Sequence, residues 1–274
     1  MKPRSIISFL FLITFFILFA PDISIAQVNE STEIDSLKTL LYSAEVDDTR
    51  NIDLHIEIAN AYRNLNVDSL LYYASIANEL SEKTGYIKGI ASSTYHLASY
   101  YDKTGDAGKA LELFIETIEL YENTPKDNEY FKAVNLAAII YERRHDYDKA
   151  LEIYLIGLKY AQALDFKLDE AFLHNNISII YDLTGFDEKA LMFVKKASSI
   201  FKDLGENYYY AFTLINIGQY YIRRDEKDSA LVYLNEAKPI LYKDKNYYGL
   251  TNLYTNLGNI YRDEGVTDSA LYSY

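Results

Sequence analysis

An all-α solenoid of stacked helix pairs is the fold class this sequence predicts, on three observations. Tyr101, Tyr141, Tyr181, Tyr221 and Tyr261 recur at steps of forty residues, as do Ala110, Ala150, Ala190, Ala230 and Ala270 and the leucine after each alanine. A fixed period of this size marks a repeat architecture. A turn signal lies between each Tyr and Ala: Gly105-Asp106, His145-Asp146, Gly185-Phe186, Asp225-Glu226 and Gly265-Val266. Finally, the breakers are few, 11 Gly and 4 Pro in 274 residues against 28 Tyr, which suits long helices packed through aromatic rings.

Composition narrows the function classes. Hydrophobic residues make up 49% and charged residues 24%, a globular rather than a disordered balance. With Lys+Arg 27 against Asp+Glu 40 the net charge is −13. That argues against sequence-independent nucleic-acid binding, which needs clustered cations, and against docking on an anionic membrane. The absence of Cys removes disulfides, thiolate nucleophiles, Cys-ligated zinc and iron–sulfur clusters.

Taken in order, residues 1–26 read as a secretory signal. Met1-Lys2-Pro3-Arg4 is a basic start, Ile6 to Ala20 is apolar apart from Ser8 and Thr14, and Ser24-Ile25-Ala26 supplies small residues for cleavage after Ala26. The alternative is an uncleaved anchor, but the apolar run is shorter than the roughly 20 residues of a bilayer-crossing helix. The expected mature chain is exported, periplasmic or secreted, begins at Gln27 and is one charge more negative. No Cys follows the apolar run, so no lipid anchor is expected.

Residues 27–50 hold a capping helix. Ser31 is placed to cap it, and Ile34, Leu37, Leu41 and Ala44 form its apolar stripe. Such a helix would cover the open face of the first repeat, as solenoids require for solubility. The repeats follow at about 51–86, 87–126, 127–166, 167–206, 207–246 and 247–274. In the second, Ile90, Tyr95, Leu97-Ala98 and Tyr101 make one stripe, and Ala110-Leu111, Phe114 and Ile118 the other. Gly105 closes the first helix and Asp106 caps the second. Gly205 and Asn123-Thr124-Pro125 end second helices. Pro239 is expected to kink or shorten its helix by removing a backbone bond. The repeated alanines, with Gly218, Gly258, Ala98, Ala138 and Ser178 opposite, allow close helix approach, and the repeated tyrosines are read as core between units. The last second helix spans Asp268 to Tyr274, too short to cover its partner, so the natural chain is expected to continue.

The pattern Leu97-Ala98-x-x-Tyr101-x-x-x-Gly105-x-x-x-x-Ala110-x-x-x-Phe114, repeated as Leu257-Gly258-x-x-Tyr261-x-x-x-Gly265-x-x-x-x-Ala270, resembles the tetratricopeptide repeat (TPR). It departs in its forty-residue period and in lacking a large aromatic at the start of the first helix. The longer step is similar to the variants in kinesin light chain and in bacterial peptide-sensing regulators. The resemblance implies a right-handed TPR-like superhelix whose first helices line a concave wall. Asp228-Ser229-Ala230-Leu231 and Asp268-Ser269-Ala270-Leu271 also resemble turns in the exported N-terminal TPR region of Bacteroidota-type sensor kinases and transcription regulators.

No catalytic constellation is legible. There is no zinc-protease helix, no phosphate loop beyond the isolated Lys103-Thr104-Gly105, and no nucleophile elbow. His55, His96, His145 and His174 are not spaced to share one face, so no metal and no cofactor is expected. The informative residues lie on the first helices. Asn135 and Asn175 share one repeat position, and Asn176, Asn216 and Asn256 the next. An amide offers two donors and an acceptor, so this ladder can pair with an extended peptide backbone, or else bridge neighbouring repeats. Arg143, Arg223 and Arg262 lie further along; they can pin a carboxylate, or be solvated or paired with Glu142, Asp263 or Glu264. The Lys and Asn pattern of carboxylate-clamp repeats is absent, with Ile139 and Phe212 at positions where it needs polar groups.

The expected function is non-catalytic binding of a protein or peptide segment in the concave groove, with a basic or neutral partner favoured by the charge. Nucleic acid and membrane are not expected partners of the repeat region, and the sequence leaves the oligomeric state open. Two settings fit: a free exported adaptor, or the periplasmic sensing region of a histidine kinase or transcription regulator whose C-terminal part lies beyond residue 274.

Overall fold

The computed structural model describes residues 23–43, 47–122, 124–263 and 265–273. The expected signal lies outside them except for residues 23–26, as do Ala44 and Asn123. Among the described residues the chain is helices and turns alone: α1 (Ile23–Leu41), α2 (Asp48–Tyr62), α3 (Val67–Thr84), α4 (Ile87–Thr104), α5 (Ala107–Leu120), α6 (Asn128–Arg143), α7 (Tyr147–Ala163), α8 (Lys167–Leu183), α9 (Asp187–Leu204), α10 (Asn207–Arg223), α11 (Lys227–Lys243), α12 (Tyr247–Asp263) and α13 (Thr267–Ser273). From α2 onward they pack as antiparallel pairs, α2 with α3 through α12 with α13, and each pair rests on the next. This is the predicted all-α solenoid.

Backbone conformation explains the turns. Gly105, His145, Gly185, Asp225 and Gly265 all have positive φ, one at each connection within a pair from α4 on. A left-handed residue there ends one helix and lets the chain double back. Gly85, Asp165, Gly205 and Lys245 do the same between pairs. The exception is the α5–α6 connection, where Pro125 fixes φ near −65° and bars that solution. The chain instead takes residues 121–127 to cross, tied by the Tyr121 hydroxyl donating to Asp127 at 2.9 Å. Helix α5 is correspondingly shorter, 14 residues against 17 in α7, so the second helices still begin at 107, 147, 187, 227 and 267.

The core is continuous between neighbouring pairs, and the repeated small residues sit in it. Ala110, Ala150 and Ala230 are fully buried, with Ala98 and Ala138 opposite. At Gly218 an added Cβ would lie 2.9 Å from two Leu234 carbons, so a larger residue there would have to push the Leu234 side chain aside. Helix α1 covers the first pair: Leu41 is buried in the cluster of Leu54, Ile58, Leu70 and Tyr73, and Leu37 packs against it.

Three expectations are corrected. Helix α1 begins at Ile23, so Ser31 lies inside it rather than capping it; residues 23–30 contain no Gly or Pro to stop a helix. Helix α11 is not shortened by Pro239 and runs on to Lys243. Pro239 and Asn235, whose carbonyl loses its partner, are both exposed, so water replaces the missing bond. The repeated tyrosines pack against the core but are half-buried; the fully buried aromatics include Tyr95, Tyr121, Tyr130 and Tyr154.

Candidate functional site

The first helices α4, α6, α8, α10 and α12 stand side by side, and the candidate residues lie where they meet. Between α6 and α8 an amide chain closes the wall. Asn176 donates to Asn135 across the repeat boundary, and Asn175 donates to Asn176 at 3.4 Å. Behind them Tyr154 of α7 is fully buried near Asn176 and Glu142, its hydroxyl without a hydrogen bond of ordinary geometry.

Ion pairs stitch two other boundaries. Arg143 of α6 donates to Asp102 of α4 at 3.3 Å, and Arg223 of α10 pairs with Asp182 of α8. Both arginines therefore reach back to the preceding repeat, Arg143 pairing with Asp102 rather than with Glu142. Arg262 contacts the adjacent Asp263 at 3.2 Å. Asn256 is buried and donates to the Asn252 carbonyl of its own helix at 3.0 Å. The predicted ladder is thus two neighbourhoods, one amide-bridged and one bounded by an ion pair, with Asn256 turned into its helix.

Asn216 lies in the second neighbourhood. There α8, α9 and α10 border a small open cleft lined by Ser178, Ile179, Asp182, Ala190, Val194, Asn216, Gln219, Tyr220 and Arg223. First helices of successive pairs also touch directly, most at α2–α4 and α10–α12, and at α8–α10 through the Phe172 and Tyr209 rings, 4.7 Å apart. The cleft coincides with the smallest side chain of one second-helix column. The second-helix position that points between first helices is Phe114, Tyr154, Val194 and Leu234 in successive repeats. Val194 is the smallest of these, and the space its neighbours fill stays open. Val194 and Gln219 were missed from sequence, although the forty-residue alignment of column 114/154/194/234 carries the signal.

Two carboxyls on these first helices are shifted upward. Burial pushes the Asp182 carboxyl above its usual range, while Arg223 beside it pulls it back. Burial likewise raises Glu142, the equivalent residue one repeat earlier, with Arg143 opposing. Arg143 itself is turned to Asp102.

A polar cluster not anticipated from sequence lies between α4 and α6. Ser92 donates to Glu129, and His96 Nε2 lies 3.5 Å from the other Glu129 oxygen. Burial raises the Glu129 carboxyl, but His96 and Ser92 outweigh it and hold it below the usual range. The order differs from a hydrolytic triad, in which histidine must face the serine hydroxyl. Here the carboxylate holds both, and Ser92 and His96 are buried. His174 lies 3.6 Å from Glu170 on α8, His55 faces the Asn51 carbonyl at 2.8 Å, and His145 occupies a turn. Among the described residues no three His, Asp or Glu side chains are grouped to hold a metal, and no helix is long and apolar enough to cross a membrane.

Residues 89–163 match the family model for the tetratricopeptide repeat. Among curated proteins, response regulator aspartate phosphatase A of Bacillus subtilis (strain 168) is 25% identical over 188 residues, 67% of this chain and 47% of that protein. The chain thus spans about half the length of this relative. Two solved structures are similar. The tetratricopeptide-repeat sensor protein of the STAND class of signal transduction ATPases from Pyrococcus horikoshii superposes with a TM-score of 0.77 at 18% identity, over 91% of this chain and 40% of that one. The apo quorum sensor NprR from B. thuringiensis gives 0.65 at 18% identity, over 87% and 67%. At these identities the structures speak to the fold. The chain is a TPR-like solenoid of helix pairs, with the tetratricopeptide repeat itself matched at residues 89–163.

Proposed function

We propose that this chain is an exported, non-catalytic interaction module that holds an extended peptide or protein segment against the inner wall of its first helices. The observation that carries the reading is the α8–α10 cleft, where the Asn216 and Gln219 amides stand beside an opening lined by Ile179, Ala190 and Val194. Amides so placed can donate to and accept from the backbone of an extended segment, while the cleft receives a side chain. Asn175 extends the amide line one repeat back. Asn135 and Asn176, bonded to each other, fix the wall. The relatives' names support a protein or peptide partner, since one protein is named for acting on a response regulator and two as sensors. No cofactor and no nucleic acid enters this reading. Export rests on residues 1–26.

A second reading is favoured by the Pyrococcus horikoshii protein, in which a repeat sensor is part of a longer signalling chain. This chain would then be the periplasmic sensing region of a histidine kinase or transcription regulator, and the same groove would receive the signal.

The test is binding of a random hexapeptide array to the purified chain, repeated with Asn175→Ala and Asn216→Ala combined. Losing two hydrogen bonds should weaken binding about tenfold while the thermal midpoint holds. Unchanged binding, or a large fall in midpoint, would assign the amides to the scaffold alone.

A further inference from the structure

The groove reading leaves the ligand's chemistry open; resting on that reading, we infer that the α8–α10 cleft takes a branched aliphatic side chain from a neutral or basic segment. The argument starts from the column Phe114, Tyr154, Val194, Leu234. Tyr154 is fully buried where α6, α7 and α8 meet. A tyrosine side chain exceeds a valine by about five heavy atoms, and a leucine exceeds it by about one, so at interior packing density Val194 leaves space for part of an aliphatic side chain. Of the residues lining that space Ala190, Val194 and Ile179 are apolar, and the Ser178 hydroxyl is already donated to the Asn175 carbonyl. A hydroxyl or charge placed there would lose its hydration without return, whereas a Val, Leu or Ile side chain would bury apolar surface. Polar groups stand at the sides, Asn216 and Gln219 toward a ligand backbone, Asp182 and Arg223 already paired with each other.

The sign of the ligand's charge follows from the adjoining wall. Glu142 is half-buried one repeat earlier, and its neighbour Arg143 is committed to Asp102. An acidic segment would meet this carboxylate and the chain's net charge of −13; a lysine or arginine in the segment would compensate it.

The experiment uses the described chain and blocked hexapeptide pools with the central residue fixed as Val, Leu, Phe, Ser or Asp, each carrying either one Lys or one Glu elsewhere, read by fluorescence polarisation. The Val and Leu pools should bind at least about tenfold more tightly than the Phe, Ser and Asp pools, with Lys preferred to Glu. Val194→Phe and Val194→Leu place in the cleft the residue types that Phe114 and Leu234 already provide, so both should fold with an unchanged helical spectrum and abolish the aliphatic preference. Glu142→Gln should remove the Lys preference and leave the aliphatic one. A Phe pool that binds as well as Leu, or a folded Val194→Phe that binds as wild type, would overturn the pocket while leaving groove binding in place. If no pool binds the wild type, the groove reading fails and this inference with it.

Discussion

The α6–α8 and α8–α10 boundaries are equivalent places in one repeat array, yet one is closed and the other open. At the first, Tyr154 fills the space between helices and the Asn135–Asn176 bond seals the surface above it. At the second, Val194 lines a cleft, Asn216 stands at its side, and the Asp182–Arg223 pair and the Phe172–Tyr209 ring contact link the helices. The repeat determines where the helices go. The difference coincides with one second-helix side chain, Tyr154 at the closed boundary and Val194 at the open one.

The comparison can be broken most forcefully by exchanging the column residues. Tyr154→Val should open a second cleft and lower unfolding free energy by about 2–4 kcal/mol in urea titrations, the range for large-to-small core changes. A near-silent result would mean that the α6–α8 wall collapses to fill the gap. Next in size is the same substitution made at both places. Ala150→Leu, beneath Tyr154, should cost about 1–3 kcal/mol through overpacking, and Ala190→Leu distinctly less, because its side chain can turn into the cleft. Equal costs would contradict the open space at Val194.

A third boundary sharpens the comparison by pH. Glu129, between α4 and α6, is held below the usual carboxylate range in the folded state, net of a burial effect that opposes this. Its stabilisation is therefore full above the unfolded value of about 4.3 and lost as pH falls through the folded one. Glu129→Gln should flatten the loss of stability on acidification to about pH 3, measured as the urea midpoint against pH. A parallel curve would show that other carboxylates carry the acid response.

The smaller effects lie at the surface. Arg223 is 49% exposed and Asp182 25%, so screening leaves the pair a coupling of about 0.2–1 kcal/mol in a double-mutant cycle. A larger value would make the ion pair, rather than Val194, the feature that sets the α8–α10 spacing. Lys245 adopts the left-handed conformation with φ 51°, and Lys245→Gly should raise stability by about 0.5–1 kcal/mol.

Much of this was legible in the sequence, for a physical reason. Tyr, Ala and the turn residues recur because each repeat solves the same packing problem, and the left-handed φ at His145 and Asp225 shows that spacing marked turns even where glycine was absent. The site was harder to read. The asparagines were found by their column, but whether an amide faces a ligand or another amide depends on contacts 41 residues apart, as for Asn176 and Asn135. The cleft was invisible because it is a missing volume. A valine in an apolar column looks like ordinary core until its neighbours' sizes are compared. The Ser92–His96–Glu129 cluster joins residues from two repeats; His96 stands in the column of Asn176, Asn216 and Asn256, but no other repeat has a Ser at the Ser92 position or a Glu at the Glu129 position, so no pattern announced the grouping.

The connection at residues 121–127 has a practical consequence. Helix α5 gives up length so that the longer crossing leaves the next second helix at its place in the period. Chain length at this point is thus decoupled from the register on either side. It is the natural splice point of the array: a guest segment inserted beside Pro125 would lengthen a crossing that is already irregular, and the helix pairs before and after it would keep their positions.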